Sequence, residues 1–521
     1  MKYIKMWCWL FLLLIFFSCT KLDERFRSEL EQTNTSNIKA SELLKNAYNS
    51  IAGPFHGNSE LWSSSTITTD EAIAPTRGPD WYDNGLWQAL HAHNWKPDHE
   101  FIGNGFINML GAQFAASNVL QYNPTAQEAA EARFIRALSI YWTLDGYDQV
   151  PYREDLTNYK ILPKTLKGTE AADFIISELN AILATLPDTG PAYTANKNAA
   201  KALLMKVYLN KGVYANRTAP TFTPADMNQV ISLADQIINS NKYLLNDNFF
   251  DIFAPDNDVK STESIYTFFN SASANRGSNM QGFGYMVNHY NMNPSGWNGF
   301  ATLSDFYDKF EPTDKRLGGY YNYPAALPNP GHRTNVGFLI GQQYNLTTDA
   351  ALNARNPSTA PLSFTRAVKI NEPDPNTLEF TGIRVIKYPF DYANSGGQKD
   401  NDFVMFRFAD VLLMKAEAIL RGGTGTVAGT YGSTAAALVN SIRAKRGVGN
   451  LGSVDLAALL DERGREMYWE CWRRNDLIRF GKYLLAWQEK AADVGTKNLL
   501  FPIPSSQLAV NPNLTQNPGY Q

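Results

Sequence analysis

The sequence predicts a mainly α protein: a TPR-like scaffold of helical hairpins carrying a long loop-rich insertion and a few short strands. Three observations point there. Apolar residues recur at helical spacing in segment after segment, each about a dozen to twenty residues long and joined by short polar turns. Alanines fall at facing positions, where small side chains let helix pairs approach closely, as in tetratricopeptide-type stacks. Between residues 250 and 400 this periodicity stops, and Gly, Asn, Pro and Tyr take over.

Ser41–Ala52 places Leu43, Leu44, Ala47, Tyr48 and Ile51 on one helical face. Residues 53–104 are crowded with Gly, Pro, Asp, Asn and Trp and read as loops with short helical turns. Ala129–Tyr147, Thr169–Leu186, Ala199–Asn210 and Pro224–Ser240 then read as helices, the second stopped by Pro187. Ser264–Phe269 and Ile383–Tyr388 are β-favouring runs inside the insertion. Helices return at Phe408–Arg421, Thr434–Arg446 and Leu456–Arg479.

The amino terminus carries Lys2 and Lys5, an apolar run from Met6 to Phe17, and then Ser18-Cys19. Basic start, short greasy core, small residue and cysteine are the order of a bacterial lipoprotein signal. The run falls short of the roughly 20 apolar residues a membrane-spanning helix needs. Cleavage before Cys19 and acylation of its thiol would export the chain on a lipid. Of the 3 cysteines, Cys8 goes with the signal and Cys19 with the lipid, leaving Cys471 alone. The mature chain then has no intrachain disulfide, and its core must hold it. Net charge is −3, and no basic run follows the signal, so nucleic acid is excluded as a partner.

No catalytic signature is present: there is no G-x-S-x-G elbow, P-loop or HExxH, and no cofactor is expected. His91, His93 and His99 lie near Asp98 and Glu100, but their spacing fits no metal motif, and structural hydrogen bonding is the expectation. Glu462 and Glu466 sit one helical turn apart among Arg463, Arg465, Arg473 and Arg474, a pattern of ion pairs rather than of acid–base catalysis. The aromatic residues carry more. Trp81, Tyr82, Trp87 and Trp95 fall in one loop-rich stretch with Asp70, Arg77, Asp80 and Asn84, and Tyr285, Tyr290 and Trp297 fall in a second. Loop aromatics flanked by hydrogen-bonding side chains suit sugar rings, which present apolar C–H faces and hydroxyl edges. The same rings can also pack loops onto a scaffold.

Several segments together resemble the SusD/RagB family of surface lipoproteins. These are the signal with Cys19 and Leu22-Asp23-Glu24, the block at 68–95, the helix ending in Gly-x-x-x-Val-Pro at 130–152, FRFADVLLMKAEAILRGG within 402–423, ERGREMYWECWRRNDLIRFGKY at 462–483, and LLFPIPSSQLAVNPNLTQNPGY at 499–520. The resemblance implies a signal at 1–18, a lipid-anchored tether at 19–40, an N-terminal TPR-like part at 41–250, and a C-terminal part at 251–521 with its insertion at about 251–400. It implies capture of an oligosaccharide or polysaccharide at the cell exterior, without catalysis. Delivery would be to a SusC-like TonB-dependent transporter in the outer membrane. The residues it points to are Trp81 or Trp87 and Trp297 for stacking, Asp70 as a hydroxyl acceptor and Arg384 as a donor, beside Tyr82 and Tyr290. A binder of peptides or another nutrient, and a surface glycoside hydrolase, are the alternative readings.

Overall fold

The computed structural model describes residues 38–154, 156, 158, 160–273, 284–322, 332–394 and 399–521. The signal, Cys19 and nearly all of the tether lie outside the described residues. In the unit Ala40–Gln521 helices dominate, and strands are few and short.

The Ala40–His56 helix buries Leu44, Ala47 and Ile51 and packs on Glu100–Val119 and Ala126–Tyr147. Ala126–Tyr147 starts three residues before the predicted point because Thr125 and Glu128 form a capping box. It is buried on nearly every side, through Phe134, Leu138, Tyr141 and Trp142, which makes it the spine of the scaffold. Gly168–Ile182, Lys197–Ala215 and Pro224–Ile238 pack in turn, each on its predecessor. Phe408–Leu420 then lies on Pro224–Ile238 and receives Ala435–Lys445 and Leu456–Met467. This succession of neighbouring helices is the expected hairpin stack. Among the described residues no helix is long and apolar enough to cross a membrane.

Among the elements that differ from the sequence reading, three bear on the scaffold and its joints. Glu100–Val119 is a 20-residue helix beginning inside the stretch read as loop. Its glycines mask a sound apolar face of Ile102, Phe106, Met109, Ala112, Ala116 and Val119. Gly105 is needed for packing, since a Cβ there would lie 2.9 Å from the Tyr147 hydroxyl. Second, Phe403–Arg407 is a strand, antiparallel to Ser264–Phe268. It is buried along its whole length and runs without a turn into the Phe408–Leu420 helix, so neither alternation nor a break sets it apart in the sequence. Third, Leu456–Arg479 is two helices, Leu456–Met467 and Arg473–Arg479. Trp469 (φ 60°) and Cys471 (φ 68°) turn the chain between them. The turn is held by Glu71, whose side-chain Oε2 accepts the Trp469 amide and whose carbonyl accepts the indole N–H, both at 3.1 Å.

A buried ionic network ties the insertion to these last helices. Glu466 accepts from Arg316 (3.0 Å), Arg407 (2.7 Å) and Arg446 (2.7 Å), and Glu462 from Arg316 (2.7 Å), Arg443 (3.0 Å) and Arg465 (2.6 Å). Burial pushes the Glu466 carboxyl up, but the surrounding guanidinium groups overcome this and hold it well below the usual range. The pair is architectural, as its neighbouring arginines suggest. Arg316 leads directly into a three-stranded sheet of Gly318–Gly319, Val336–Leu339 and Arg384–Ile386. The network therefore fixes the floor on which the insertion's loops stand.

Candidate functional site

Two loops meet above that floor. In the first, Arg77 and Asp80 exchange backbone hydrogen bonds (2.9 and 3.3 Å) around Gly78. The chain then passes through left-handed conformations at Trp81 (φ 62°), Asp83 (φ 41°), Asn84 (φ 54°) and Gly85 (φ 80°). For a bulky residue such as Trp81 this costs on the order of 1–3 kcal/mol, and it persists only where the surroundings enforce it. Here the ring is seated between loops. Its indole N–H donates to the Trp297 carbonyl at 2.8 Å, and it packs on Trp87 and Phe300 with ring centres 5.5 and 5.2 Å away. Gly299 leaves the space: a Cβ there would lie 2.2 Å from the Trp81 ring. Seating Trp81 turns Tyr82 outward, 50% exposed.

In the second loop the Trp297 amide donates to the Tyr285 carbonyl (2.5 Å) and the Asn298 amide to the Asn288 carbonyl (2.8 Å). Trp297 is 45% exposed. Between the loops, the Tyr290 hydroxyl donates to Asp80 Oδ2 at 2.7 Å. The Arg355 guanidinium stacks 3.8 Å from the Tyr290 ring centre, and its Nε donates to Glu379 at 3.3 Å. Glu379 also takes the Arg355 amide (2.6 Å) and His289 Nε2 (2.9 Å). Burial lowers the His289 pKa to about 4, so the ring is neutral near pH 7, and the bond to Glu379 only partly offsets this. Burial and the hydrogen bond to Asp80 push the Tyr290 hydroxyl up to about 12, keeping it a donor.

The structure thus brings Trp81, Tyr82, Tyr290 and Trp297 to one face. It does not bring the other three expected residues there. Trp87 is only 1% exposed; its ring packs against Phe101 and Phe300 and its N–H donates to Asp83 at 2.6 Å, so it offers no face for stacking. Both oxygens of Asp70 accept from Arg473 at 2.7 Å, a bidentate pair that commits the carboxylate to the Arg473–Arg479 helix. Arg384 is fully buried and donates to the carbonyls of Glu379, Thr381 and Gly382 and to Asn298 Oδ1. With Arg77, which donates to Leu378, Gly299 and Thr381 carbonyls, it clamps the two loops from beneath. Trp87 and Arg384 support the face without forming it, and Asp70 braces the Arg473–Arg479 helix.

Arg355, Glu379 and His289 belong to the face and carried no sequence signal, because tertiary folding alone brings them to Tyr290 and Asp80. The three histidines of the first stretch take separate partners: His91 the Gln488 carbonyl, His93 Asp493 and the Thr68 carbonyl, His99 the Leu86 carbonyl. Among the described residues no group of three His, Cys, Asp or Glu side chains is arranged to hold a metal ion.

A stack of packed helices carrying half-exposed aromatic rings on its loops defines a protein of the helical-scaffold class. The model of the SusD family matches residues 252–520, and the chain belongs to that family. It is 28% identical over 499 residues to the starch-binding protein SusD of Bacteroides thetaiotaomicron, covering 87% of this chain and 84% of that protein. It is 23% identical to SusD-like protein P2 of Formosa agariphila, covering 84% and 81%. Among solved structures, surface glycan-binding protein A of Bacteroides thetaiotaomicron in complex with laminarihexaose superposes with a TM-score of 0.69 at 18% identity, over 92% of this chain and 98% of that one. A laminarin-binding SusD-like protein gives 0.70 at 20% identity, over 92% and 99%. At these identities the likeness to the solved structures is one of fold.

Proposed function

We propose that this protein captures a polysaccharide or oligosaccharide at the cell exterior, held to the outer membrane through lipid on Cys19, and passes it to a SusC-like TonB-dependent transporter without cleaving it. The observation that carries the reading is the presence of two exposed rings, Tyr82 and Trp297, on the two loops that the Trp81 indole N–H ties together. Rings held at fixed positions can stack on successive sugars with little loss of side-chain freedom. The polar groups around them supply donors and acceptors for hydroxyls. That one relative is named for starch binding and one structural neighbour for laminarin binding supports a glycan as ligand.

The carboxylates of the face favour binding over hydrolysis. Asp80 accepts from Tyr290, Asp83 from Trp87, and Glu379 from His289 and Arg355. A glycosidase needs one carboxyl group that protonates the leaving oxygen and a second that acts as base or nucleophile. Here each is engaged in holding the loops.

Native affinity electrophoresis across plant, host and microbial polysaccharides tests the proposal. Retardation by one or two related glycans, with no release of reducing ends, is the expected result. Reducing-end release would replace it with a hydrolase, and retardation by none would turn attention to peptide ligands.

A further inference from the structure

On the other side of the loop that carries Tyr290 lies a cavity of about 250 Å³. Its walls are Asn288, Met292 and Asn293 from that loop, Phe338 and Ile340 from the three-stranded sheet and the residue beyond it, and Phe390, with an amide-rich rim. From this cavity we infer a second binding pocket, separate from the aromatic face, that takes one uncharged sugar ring. The choice of a sugar as occupant rests on the glycan-capture reading; the pocket itself does not.

Three features define the ligand. The first is an unanswered acceptor. Asn288 is 1% exposed, and its Nδ2 donates to the Pro294 carbonyl at 2.8 Å, which fixes the orientation of the amide. Its Oδ1 is then buried with no hydrogen-bond partner among the described residues. A buried acceptor left unmade is costly, so a hydroxyl that reaches it through a small shift of this wall gains a bond the protein does not supply. The second feature is charge. Arg333 is the charged side chain among the described lining residues, and it is already paired with Asp349 at 2.6 Å and stacked 3.6 Å from the Tyr344 ring centre. No free charge is left for an anionic or cationic ligand. The third is shape and polarity. Phe338 and Phe390 give apolar surface beside the amides of Asn288, Asn293 and Gln342, the mixture that a pyranose presents in reverse. The volume is large enough to admit a single hexose ring.

The loop at 288–293 is a common wall. Tyr290 faces the aromatic platform, while Asn288, Met292 and Asn293 line the cavity. A glycan lying across Tyr82 and Trp297 would have this second pocket beside it for a branch or an end residue.

Ligand-observed NMR titrations with methyl α-glucoside, methyl β-galactoside and methyl α-mannoside test the pocket on the whole protein. A dissociation constant on the order of 1–10 mM is expected for at least one, as befits so small a ligand. Ile340→Trp and Thr334→Trp, both at exposed positions of the rim, plug the cavity. Each should weaken that binding at least tenfold with an unchanged thermal midpoint. Trp297→Ala should leave it intact while weakening polysaccharide retardation. No binding of any of the three sugars overturns the inference, as does binding that survives both plugs or is lost in Trp297→Ala. If retardation fails with every polysaccharide but the monosaccharide site behaves as described, the capture reading falls and the pocket stands.

Discussion

Trp81 donates its indole N–H to the carbonyl oxygen of Trp297 at 2.8 Å, joining two loops 216 residues apart in sequence. The bond depends on Gly299, whose bare Cα lets the Trp81 ring pass. In Gly299→Ala the added methyl would sit 2.2 Å from the ring, and the ring must leave its seat. Polysaccharide retardation should then fall by about tenfold, equivalent to about 1.4 kcal/mol, while the far-UV spectrum is retained. Undiminished retardation in a folded Gly299→Ala protein would mean that the Trp81 seat does not organise the face.

The rings themselves separate by exposure. Trp297→Ala and Tyr82→Ala remove groups that are 45% and 50% exposed. Each should weaken glycan binding by on the order of 1–3 kcal/mol, the range of other aromatic anchors, with little change in thermal midpoint. Trp87→Ala should do the reverse. It empties a buried site among Trp81, Phe101 and Phe300 and should cost about 3–5 kcal/mol of stability. Affinity electrophoresis and thermal unfolding of the three variants together check this division; equal effects of Trp87→Ala and Trp297→Ala on binding at unchanged stability would refute it.

That division marks the limit of what the sequence reveals. Helices with an uninterrupted apolar face, such as Pro224–Ile238 behind its Thr223 cap, are legible because local spacing and capping chemistry agree with the final packing. The aromatic stretch is legible as a stretch. Which of its rings faces water is not, because three left-handed residues between Trp81 and Asn84 set the direction of each side chain, and only the opposing loop enforces them. Trp81, Tyr82 and Trp87 look alike in sequence and end half-buried, exposed and buried. Arg355 is beyond sequence reasoning for a similar reason: nothing near it in the chain announces Tyr290.

Asp70 and Arg473 form a bidentate pair at 2.7 Å whose arginine side chain is 2% exposed. Burial raises the Asp70 carboxyl, but the guanidinium outweighs it and holds the pKa below the usual range. Asp70→Asn leaves Arg473 buried without its counter-charge, which should cost roughly 3–5 kcal/mol. Binding per folded molecule should not change, since Asp70 supports the Arg473–Arg479 helix and not the aromatic face. Urea unfolding with a parallel glycan titration measures both; a binding loss without a stability loss would return Asp70 to the ligand.

Buried groups on two sides of neutrality should give this protein a narrow pH range of maximal stability. Burial lowers His56 to about 3 and His91 to about 4. Both are neutral when folded, whereas the unfolded chain takes up protons below about 6.5, so stability falls as pH drops through that value. For His91 the loss is roughly 3 kcal/mol by pH 4, at about 1.4 kcal/mol per unit. Glu71 acts with the opposite sign. Burial raises its carboxyl to about 8, against nearby Arg473, and its Oε1 has no hydrogen-bond partner among the described residues. The folded state keeps this proton while the unfolded chain loses it above about 4.5. The stability it provides is therefore full below about 4.5 and gone above about 8. Glu71→Gln keeps the acceptor that takes the Trp469 amide and carries no proton to lose. Its thermal midpoint should hold steady between pH 6 and pH 8.5 while that of the wild type declines, and a parallel decline in both proteins would show that Glu71 is not the titrating group.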